Sequence, residues 1–223
     1  MLKSAIPLIL LFSVTVLAEE STCYGTTASG RLIDGVALPE SGDNFVGYSS
    51  LARTAGRTYV HSKVRDIVVA AYKSLNKNLP GVVFKYAETG FKNGGQFTPH
   101  KTHQNGLSVD FMVPVRNAAG ESVHLPTNPM NKLGYDIEFD QDGRYQQFTI
   151  DYNALAAHIV ALHKASKHSG YDVWRVIFDP HLQPNLMQTA HGNYLAEHIQ
   201  FSERRSWVRH DEHYHVDFAI PCH

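Results

Sequence analysis

Two short segments, far apart in the chain, hold side chains whose types suit a metal centre. The first runs from His100 to Asp110 and includes His103, and the second runs from His210 to His215. A catalytic zinc ion takes three protein ligands of the histidine and carboxylate type and leaves one position for water. The chain also has 14 histidines in 223 residues, an unusually high number, so the two segments together predict a metal site.

The spacing within each segment fits such a site. Asp110 follows His103 by seven positions, and Gly106 between them allows a tight turn that returns the imidazole over the next strand. His213 and His215 stand two apart in a segment of strict alternation, so both rings are expected on one face of a strand. One ring can then bind a metal while the other reaches the bound water or the substrate.

The elements around these segments predict an α+β fold, in which a small, mostly antiparallel sheet carries the metal site and is flanked by helices. Strands are predicted over 82–87, 107–113, 171–178 and 213–220, a hairpin over 137–150 that turns at 140–143, and helices over 64–75, 155–170 and 194–199. Residues 24–50 are predicted to be extended loop, 90–99 a glycine-rich loop and 114–135 irregular. On the last strand, His213, His215 and Asp217 are expected on one face and Tyr214, Val216 and Phe218 on the other.

Composition and charge exclude some classes of protein. Lys and Arg number 20 and Asp and Glu 21, so the formal net charge is −1. That balance argues against a nucleic-acid-binding protein, because such proteins usually carry an excess of Lys and Arg. It also argues against a polybasic protein that binds the membrane surface. A hydrophobic fraction of 43% with a charged fraction of 18% is typical of a folded globular chain.

The first 18 residues are predicted to be a secretory signal peptide. Lys3 is followed by an apolar stretch from Ala5 to Leu17 and by a small residue, Ala18, at the expected cleavage site. The apolar stretch is too short for a comfortable membrane span. We therefore expect residues 19–223 to form one mature domain without stable membrane insertion, exported to the periplasm or secreted.

The chain has two cysteines, Cys23 and Cys222, one near each end of the mature part. Export to an oxidising compartment allows a disulfide between them. In the chain-entropy model, closing so long a loop stabilises the folded state by about 5 kcal/mol, less any strain. The sequence therefore predicts a bridge that ties the first mature residues to the end of the last strand.

The local sequence resembles the penicillin-insensitive murein endopeptidases, a family of the zinc peptidases that share an H-x(6)-D and H-x-H core with D-Ala-D-Ala peptidases and lysostaphin-like enzymes. The matching stretches are Leu32 to Gly35, Leu38-Pro39, Gly94 to Phe97, H-x-x-H-Q-x-G-L-x-V-D at 100–110, Val176 to Pro180, W-x-x-H-x-x-H-x-H-V at 207–216 and Pro221-Cys222. The resemblance covers most of residues 29–222 and is thin between about 114 and 150. That divergent insertion is expected to form part of the cleft wall.

The resemblance implies a bacterial hydrolase that uses Zn²⁺ and acts on peptidoglycan stem peptides. The implied reaction is cleavage of the D-alanyl-meso-diaminopimelyl cross-link, with L,D-bonds as a second target. His103, Asp110 and His215 are implied as the zinc ligands. Residue chemistry agrees on this set, because it supplies two histidines and one carboxylate.

The identity of the general base stays open among three residues. The resemblance implies His213 as the base or oxyanion stabiliser, assisted by His210. Glu212 is the competitor, because hydrolytic zinc sites often use a glutamate as base. Strand alternation, however, predicts that the Glu212 side chain points to the face opposite that of His213, so Glu212 ranks below both histidines.

Other residues near the two segments are assigned supporting roles. His100 is expected to line the site, and Glu88 either holds the glycine-rich loop or is exposed. Asp217 either orients an imidazole ring or is a solvated carboxylate at the strand end. His61 is expected to have a structural or substrate-cleft role. The remaining assigned histidines are expected at the surface: His158, His163, His168, His181, His191 and His198.

Two other classes of function stay open at this point. The first is a D,D-carboxypeptidase or dipeptidase on the same core, whose members place E-x-x-W or E-x-W before the H-x-H, a motif that this chain lacks. The second is a cell-wall-binding module without hydrolysis, against which the complete ligand set argues. Any of these functions is compatible with a role in a secretion machine. The sequence leaves the oligomeric state open.

Overall fold

The computed structural model describes residues 20–204, 206 and 208–223. The expected signal peptide lies outside these residues, as does Trp207 of the second histidine motif. Within the described part of the chain, no helix combines the length and the apolar character that crossing a membrane requires.

The described residues form thirteen strands, five α-helices and one 3-10 segment. The strands are β1 (Thr22–Thr26), β2 (Ser29–Ile33), β3 (Val36–Ala37), β4 (Phe45–Gly47), β5 (Tyr59–Val60), β6 (Phe84–Tyr86), β7 (Ser108–Met112), β8 (Val115–Arg116), β9 (Ser122–Val123), β10 (Arg144–Tyr145), β11 (Phe148–Ile150), β12 (Asp172–Ile177) and β13 (His213–Ala219). The helices are α1 (Ser50–Thr54), α2 (Ser62–Asn78), α3 (Tyr152–His168), α4 (Gln183–Met187) and α5 (Gly192–His198), and the 3-10 segment is Pro129–Gly134.

This architecture confirms the predicted α+β class and the approximate positions of the main helices and strands. Two segments that were expected to lack regular structure contain short paired strands, with β2 to β4 in 24–50 and β8 and β9 in 114–135. Sequence periodicity misses them because strands of two to five residues are too short to show a repeating pattern.

The predicted hairpin over 137–150 is shorter than expected. Its strands β10 and β11 are joined at 146–147. The expected turn residues form a separate turn, in which the Asp140 carboxylate accepts the backbone N–H groups of Asp142 and Arg144 at 3.0 and 2.8 Å. The aspartate thus satisfies backbone donors just before β10, as short acidic side chains commonly do in turns.

A five-stranded sheet at the centre of the fold has the order β12–β13–β7–β6–β4. Its neighbours are antiparallel except β4 and β6. The register of β7 with β13 sets His215 opposite Asp110 and Asp217 opposite Ser108. Directly opposed residues of an antiparallel pair share a face, so this register brings the two histidine segments together.

Helices α2 and α3 pack on one face of this sheet. The ring of His158 in α3 stacks on Tyr72 of α2 and meets Phe111 of β7 edge-on, with 4.8 Å between ring centroids in both pairs. Tyr214 of β13 stacks on Phe111 from the same side. Alternation therefore directs three side chains of β13 to the other face, as predicted: His213, His215 and Asp217.

Helix α2 is defined by its cap and by one buried stripe. It starts after the N-cap His61, whose Nδ1 accepts the backbone N–H of Lys63 at 3.1 Å, so the structural role expected for His61 is confirmed. Full burial of a large aliphatic side chain contributes about 1.5–3 kcal/mol. The buried side chains recur every three or four residues: Val64, Ile67, Val68, Ala71, Tyr72 and Leu75.

The expectation that the histidines of α3 lie at the surface is wrong for two of them. His158 is fully buried and hydrogen-bonds the Tyr214 hydroxyl through Nδ1. His163 is also buried and contacts the Tyr194 hydroxyl at 2.8 Å and the Asp172 carboxylate at 3.0 Å. Helix α3 lies between α2, the sheet and α5, so most of its circumference is covered. The histidines exposed as expected are His168, His181 and His198.

Cys23 and Cys222 form the predicted disulfide, with 4.9 Å between their Cα atoms. Backbone hydrogen bonds reinforce it: Gly25 N–H donates to the carbonyl of His223 at 2.9 Å, and His223 N–H donates to that of Cys23 at 3.0 Å. The segment that follows β13 is thereby fixed to β1.

The buried His158 predicts acid sensitivity. Burial lowers the pKa of His158 from 6.5 to about 3, so the folded state favours the neutral ring. Below pH 6.5 the unfolded chain binds a proton at this residue that the folded chain does not. As the pH decreases towards 3, the free energy of unfolding therefore decreases by up to about 1.4 kcal/mol per pH unit. Denaturant titrations at about pH 7 and pH 4 should show a weaker pH dependence in His158→Phe than in the wild type.

His168→Phe is the matched control, because His168 is exposed on the same helix. This variant should keep the wild-type pH dependence. An equal loss of stability on acidification in His158→Phe and the wild type would contradict the prediction.

Candidate metal centre

The two histidine segments meet on the sheet face that points away from α2 and α3. His103 and Gly106, which precede β7, both have left-handed backbone angles, with φ of 69° and 78°. A Cβ atom at Gly106 would lie 2.7 Å from the backbone nitrogen of His61, so a larger residue does not fit there. This turn returns the His103 ring over β7, as the spacing predicted.

The carboxylate of Asp110 lies at the centre of the cluster. Its Oδ1 is 3.3 Å from Nε2 of His103 and 2.8 Å from Nδ1 of His215. Its Oδ2 is 3.8 Å from Nε2 of His213 and 3.9 Å from Nδ1 of His100. The structure therefore gathers four of the predicted histidines around one buried carboxylate.

The ring of His103 is prepared to bind a cation. Its Nδ1 lies 2.9 Å from the carbonyl oxygen of Thr89, which can only accept, so Nδ1 carries the proton and Nε2 a lone pair. Nε2 is buried and has no hydrogen-bond partner within the described part of the chain. Buried polar atoms are normally paired, so an orphaned lone pair beside a carboxylate fits a metal ligand.

The ligand atoms of His100, His103 and Asp110 all lie within 4.8 Å of one another, which is close enough for a shared metal ion. His100 was expected only to line the site, but it lies close enough to His103 and Asp110 to share a metal ion with them. Its Nε2 is bonded to the carboxylate of Glu88, and its Nδ1 lies 3.9 Å from Oδ2 of Asp110. The His100 ring is therefore held by a partner of its own.

Asp217 orients the ring of His215. Its Oδ1 is 2.8 Å from Nε2 of His215, and its Oδ2 accepts from Nε of Arg175 at 2.7 Å. Asp217 is fully buried, so the alternative of a solvated carboxylate is wrong. Burial by itself would lower the pKa of His215, but the carboxylates of Asp217 and Asp110 outweigh it and raise that pKa to about 10. The site thus stabilises positive charge at this point, which a metal cation would also supply.

Glu212 contacts the ring of His213, and the expectation that it points away from this ring is wrong. Its Oε1 lies 2.7 Å from Nδ1 of His213. Residue 212 precedes the first residue of β13, so the strand's alternation does not extend to it. Burial lowers the pKa of His213 to about 4 and raises that of Glu212 to about 8.

His210 packs beside His213, with 4.5 Å between ring centroids. Its Nδ1 lies 3.0 Å from the carbonyl oxygen of Val208, and its backbone is left-handed with a φ of 57°. Burial lowers the pKa of His210 to about 3. The structure therefore places His210 next to the site, one ring further from Asp110 than His213.

Glu88 is buried, so the alternative of an exposed residue is wrong. Its carboxylate accepts from Arg57 Nη2 at 2.9 Å and from the hydroxyl of Tyr48 at 2.8 Å, in addition to the contact with His100. Burial favours the protonated acid, but hydrogen bonds from His100 and Arg57 outweigh it and lower the pKa of Glu88 to about 2. Arg57 also donates to the carbonyl of Thr98 at 3.2 Å, so this cluster does hold the glycine-rich loop.

A cleft of about 410 Å³ opens beside the cluster. Its lining includes Glu88, His100 and Glu212 next to the cluster, and Lys132 and Tyr135 from the segment 114–150. Residues of the segment 114–150 therefore line this cleft. A volume in this range suits a small ligand or a short peptide stretch.

Three residues of the site are not singled out by the sequence: Arg57, Tyr48 and Tyr135. Arg57 and Tyr48 act through their bonds to Glu88 and lie in no spaced motif. Tyr135 follows a stretch predicted to be irregular, and only the folded chain shows that its hydroxyl reaches Asp110.

The family model described as penicillin-insensitive murein endopeptidase matches residues 23–223. No curated protein matches the chain. The matched range includes both histidine segments, the glycine-rich loop and both cysteines.

The geometry of the cluster predicts that His103 and Asp110 are both required for metal binding. The wild type should bind one zinc ion per chain, and His103→Ala and Asp110→Ala should bind none, because each removes one of the three atoms that lie close enough together to hold a metal ion. Equilibrium dialysis followed by elemental analysis measures the stoichiometry, and circular dichroism checks the fold. His181→Ala, at an exposed histidine, is the control and should bind as the wild type does. Full zinc occupancy in either ligand variant would contradict the assignment.

Proposed function

Since the chain belongs to the penicillin-insensitive murein endopeptidase family, we propose that it is a zinc-dependent hydrolase that cleaves the D-alanyl-meso-diaminopimelyl cross-link between peptidoglycan stem peptides. The family match supports an endopeptidase that acts on murein. One structural observation supports a metal ion at this site. The buried Nε2 of His103, unpaired among the described residues, faces the carboxylate of Asp110.

We assign His103, Asp110 and His215 as the zinc ligands. The carbonyl of Thr89 and the carboxylate of Asp217 bind the second nitrogen of each histidine, which fixes both rings and leaves His103 Nε2 and His215 Nδ1 directed at Asp110. Zinc bound there supplies a Lewis acid that polarises the scissile carbonyl and makes a water acidic enough to ionise near neutral pH.

His213 is assigned as the group that moves the proton. Its Nε2 faces Asp110, and its Nδ1 is held by Glu212. A neutral imidazole at this place accepts a proton from water and returns it to the leaving amine. In its protonated form the same ring donates a hydrogen bond to the developing oxyanion.

Glu212 acts through His213 in this proposal instead of competing with it. A base held by a second group through its far nitrogen is a recurring arrangement in hydrolases, because the second group fixes the ring's orientation. His210 packs against the same ring, with 4.5 Å between the ring centroids, and both residues are buried. His100 and Glu88 hold the cleft wall that faces the substrate.

We propose that the protein acts outside the cytoplasm, in the periplasm or as a secreted enzyme. Its substrate lies there, and the Cys23–Cys222 disulfide is stable in an oxidising compartment. The predicted signal peptide supplies the route.

Digestion of purified, cross-linked peptidoglycan tests the proposed reaction. The mature protein should convert cross-linked dimers to intact monomers, resolved by liquid chromatography and mass spectrometry. A chelator should stop the conversion, and added zinc should restore it, because the ligand cluster holds the metal. β-Lactams should have no effect, since the mechanism uses no nucleophilic serine.

The products also separate the alternatives. Release of terminal D-alanine alone would replace the endopeptidase by a D,D-carboxypeptidase. Absence of any product from a chain that retains its zinc would favour a binding module. Cleavage that persists after zinc has been removed completely would contradict the metal mechanism.

Replacement of His213 tests the assignment of the proton carrier. His213→Gln should lower kcat by about 10²–10⁴-fold and leave zinc stoichiometry unchanged, because it removes a proton acceptor but no ligand. Glu212→Gln should cause a smaller decrease, since an amide oxygen still accepts from Nδ1–H. The cross-link assay measures both. A His213→Gln variant with the wild-type kcat would move the base to another residue, with His210→Gln as the next variant to examine.

A further inference from the structure

Tyr135 lies where the cleft wall meets the ligand cluster. Its hydroxyl is 3.1 Å from Oδ2 of Asp110, and the backbone N–H of Glu88 donates to the same hydroxyl at 3.4 Å. Its ring packs against His213, with 4.7 Å between centroids, and against His100 at 5.8 Å. One side chain of the divergent segment therefore contacts a proposed ligand and the proposed proton carrier.

The contacts of Asp110 divide its two oxygens between different partners. Oδ1 faces the ring nitrogens of His103 and His215 at 3.3 and 2.8 Å. Oδ2 accepts the hydroxyl proton of Tyr135. The oxygen of the same hydroxyl accepts the backbone N–H of Glu88, so the two bonds use the donor and the acceptor side of one group.

We propose that Tyr135 is a positioning residue that restricts Asp110 to offering one oxygen, Oδ1, to the metal. The inference rests on the zinc assignment made under the proposed function. With Oδ2 occupied by the phenol, the carboxylate binds through a single atom, and the metal keeps a coordination position for water. Without the phenol, Oδ2 is free to bind as well and to fill that position.

The backbone that carries Tyr135 is built to hold it. Asn128 and Asn131 form a reciprocal capping box, in which each side chain binds the other residue's backbone. Lys132 and Leu133 follow in left-handed conformations, with φ of 49° and 61°. Residues other than glycine rarely adopt such angles, so this turn is retained by its surroundings and directs Tyr135 inward.

The Tyr135→Phe variant removes the hydroxyl and keeps the ring that packs against His213. We expect a zinc dissociation constant 10–100 times that of the wild type, measured by competition with a chromophoric chelator. With Co²⁺ in place of zinc, the wild type should show the intense visible absorption of a four-coordinate ion. The variant should show the weaker bands of a higher coordination number. In the cross-link assay kcat should fall while KM stays within about twofold.

Tyr72→Phe is the matched control, because Tyr72 is a buried tyrosine on the helix face of the sheet and contacts none of the proposed ligands. It should leave zinc affinity, the cobalt spectrum and kcat unchanged. Tyr135→His, which keeps an aromatic ring with a donor, should recover part of the affinity lost in Tyr135→Phe. It also serves as the second test if the phenylalanine variant does not fold, and it should then keep the four-coordinate cobalt spectrum.

The outcomes separate this inference from the proposed function. Wild-type zinc affinity and an unchanged cobalt spectrum in Tyr135→Phe would overturn the role of Tyr135, whatever the substrate. A higher coordination number in Tyr135→His would overturn it too. A wild type that binds zinc but cleaves no cross-link would contradict the function alone. A wild type that binds neither zinc nor cobalt would overturn the inference together with the metal assignment.

Discussion

The pairing of β7 with β13 is the constraint on which the candidate site depends. It sets Asp110 opposite His215 and Ser108 opposite Asp217, although the two strands lie about a hundred residues apart in sequence. A shift of one residue in this register would turn every side chain of one strand to the other face. The apolar residues that face α2 and α3 oppose such a shift, so packing in the core on one side fixes the polar cluster on the other.

The site tolerates this much buried charge because its charged groups are paired with one another. The carbonyl of Thr89 holds His103, and Asp217 holds His215 and is itself bound by Arg175. A buried ion pair that loses one member leaves an uncompensated charge, which is strongly destabilising. The same contacts that orient the rings therefore also make the stability of the fold sensitive to substitutions at these positions.

Much of the site follows from short-range patterns in the sequence. A period of two places His213, His215 and Asp217 on one face, and a glycine before β7 allows the turn at His103. Glu212 is misplaced by the same rule, because the rule holds only inside the strand and residue 212 lies just outside it. Tyr135 contacts Asp110 because Lys132 and Leu133, in an irregular segment, adopt left-handed backbone angles. No repeating pattern in the sequence predicts such a conformation. His158 is misassigned because the sequence of a helix does not show how many neighbours cover it.

The separation of the ligands along the chain has a consequence for the order of events during synthesis. His103 and Asp110 precede His215 by about a hundred residues, and proteins are made and exported from the amino terminus. Until β13 has been made and has paired with β7, the nascent chain offers only part of the proposed ligand set. A site assembled in this way is complete only after nearly the whole polypeptide has been synthesised. Any metal ion that the completed site binds is then taken from the compartment in which the chain finishes folding.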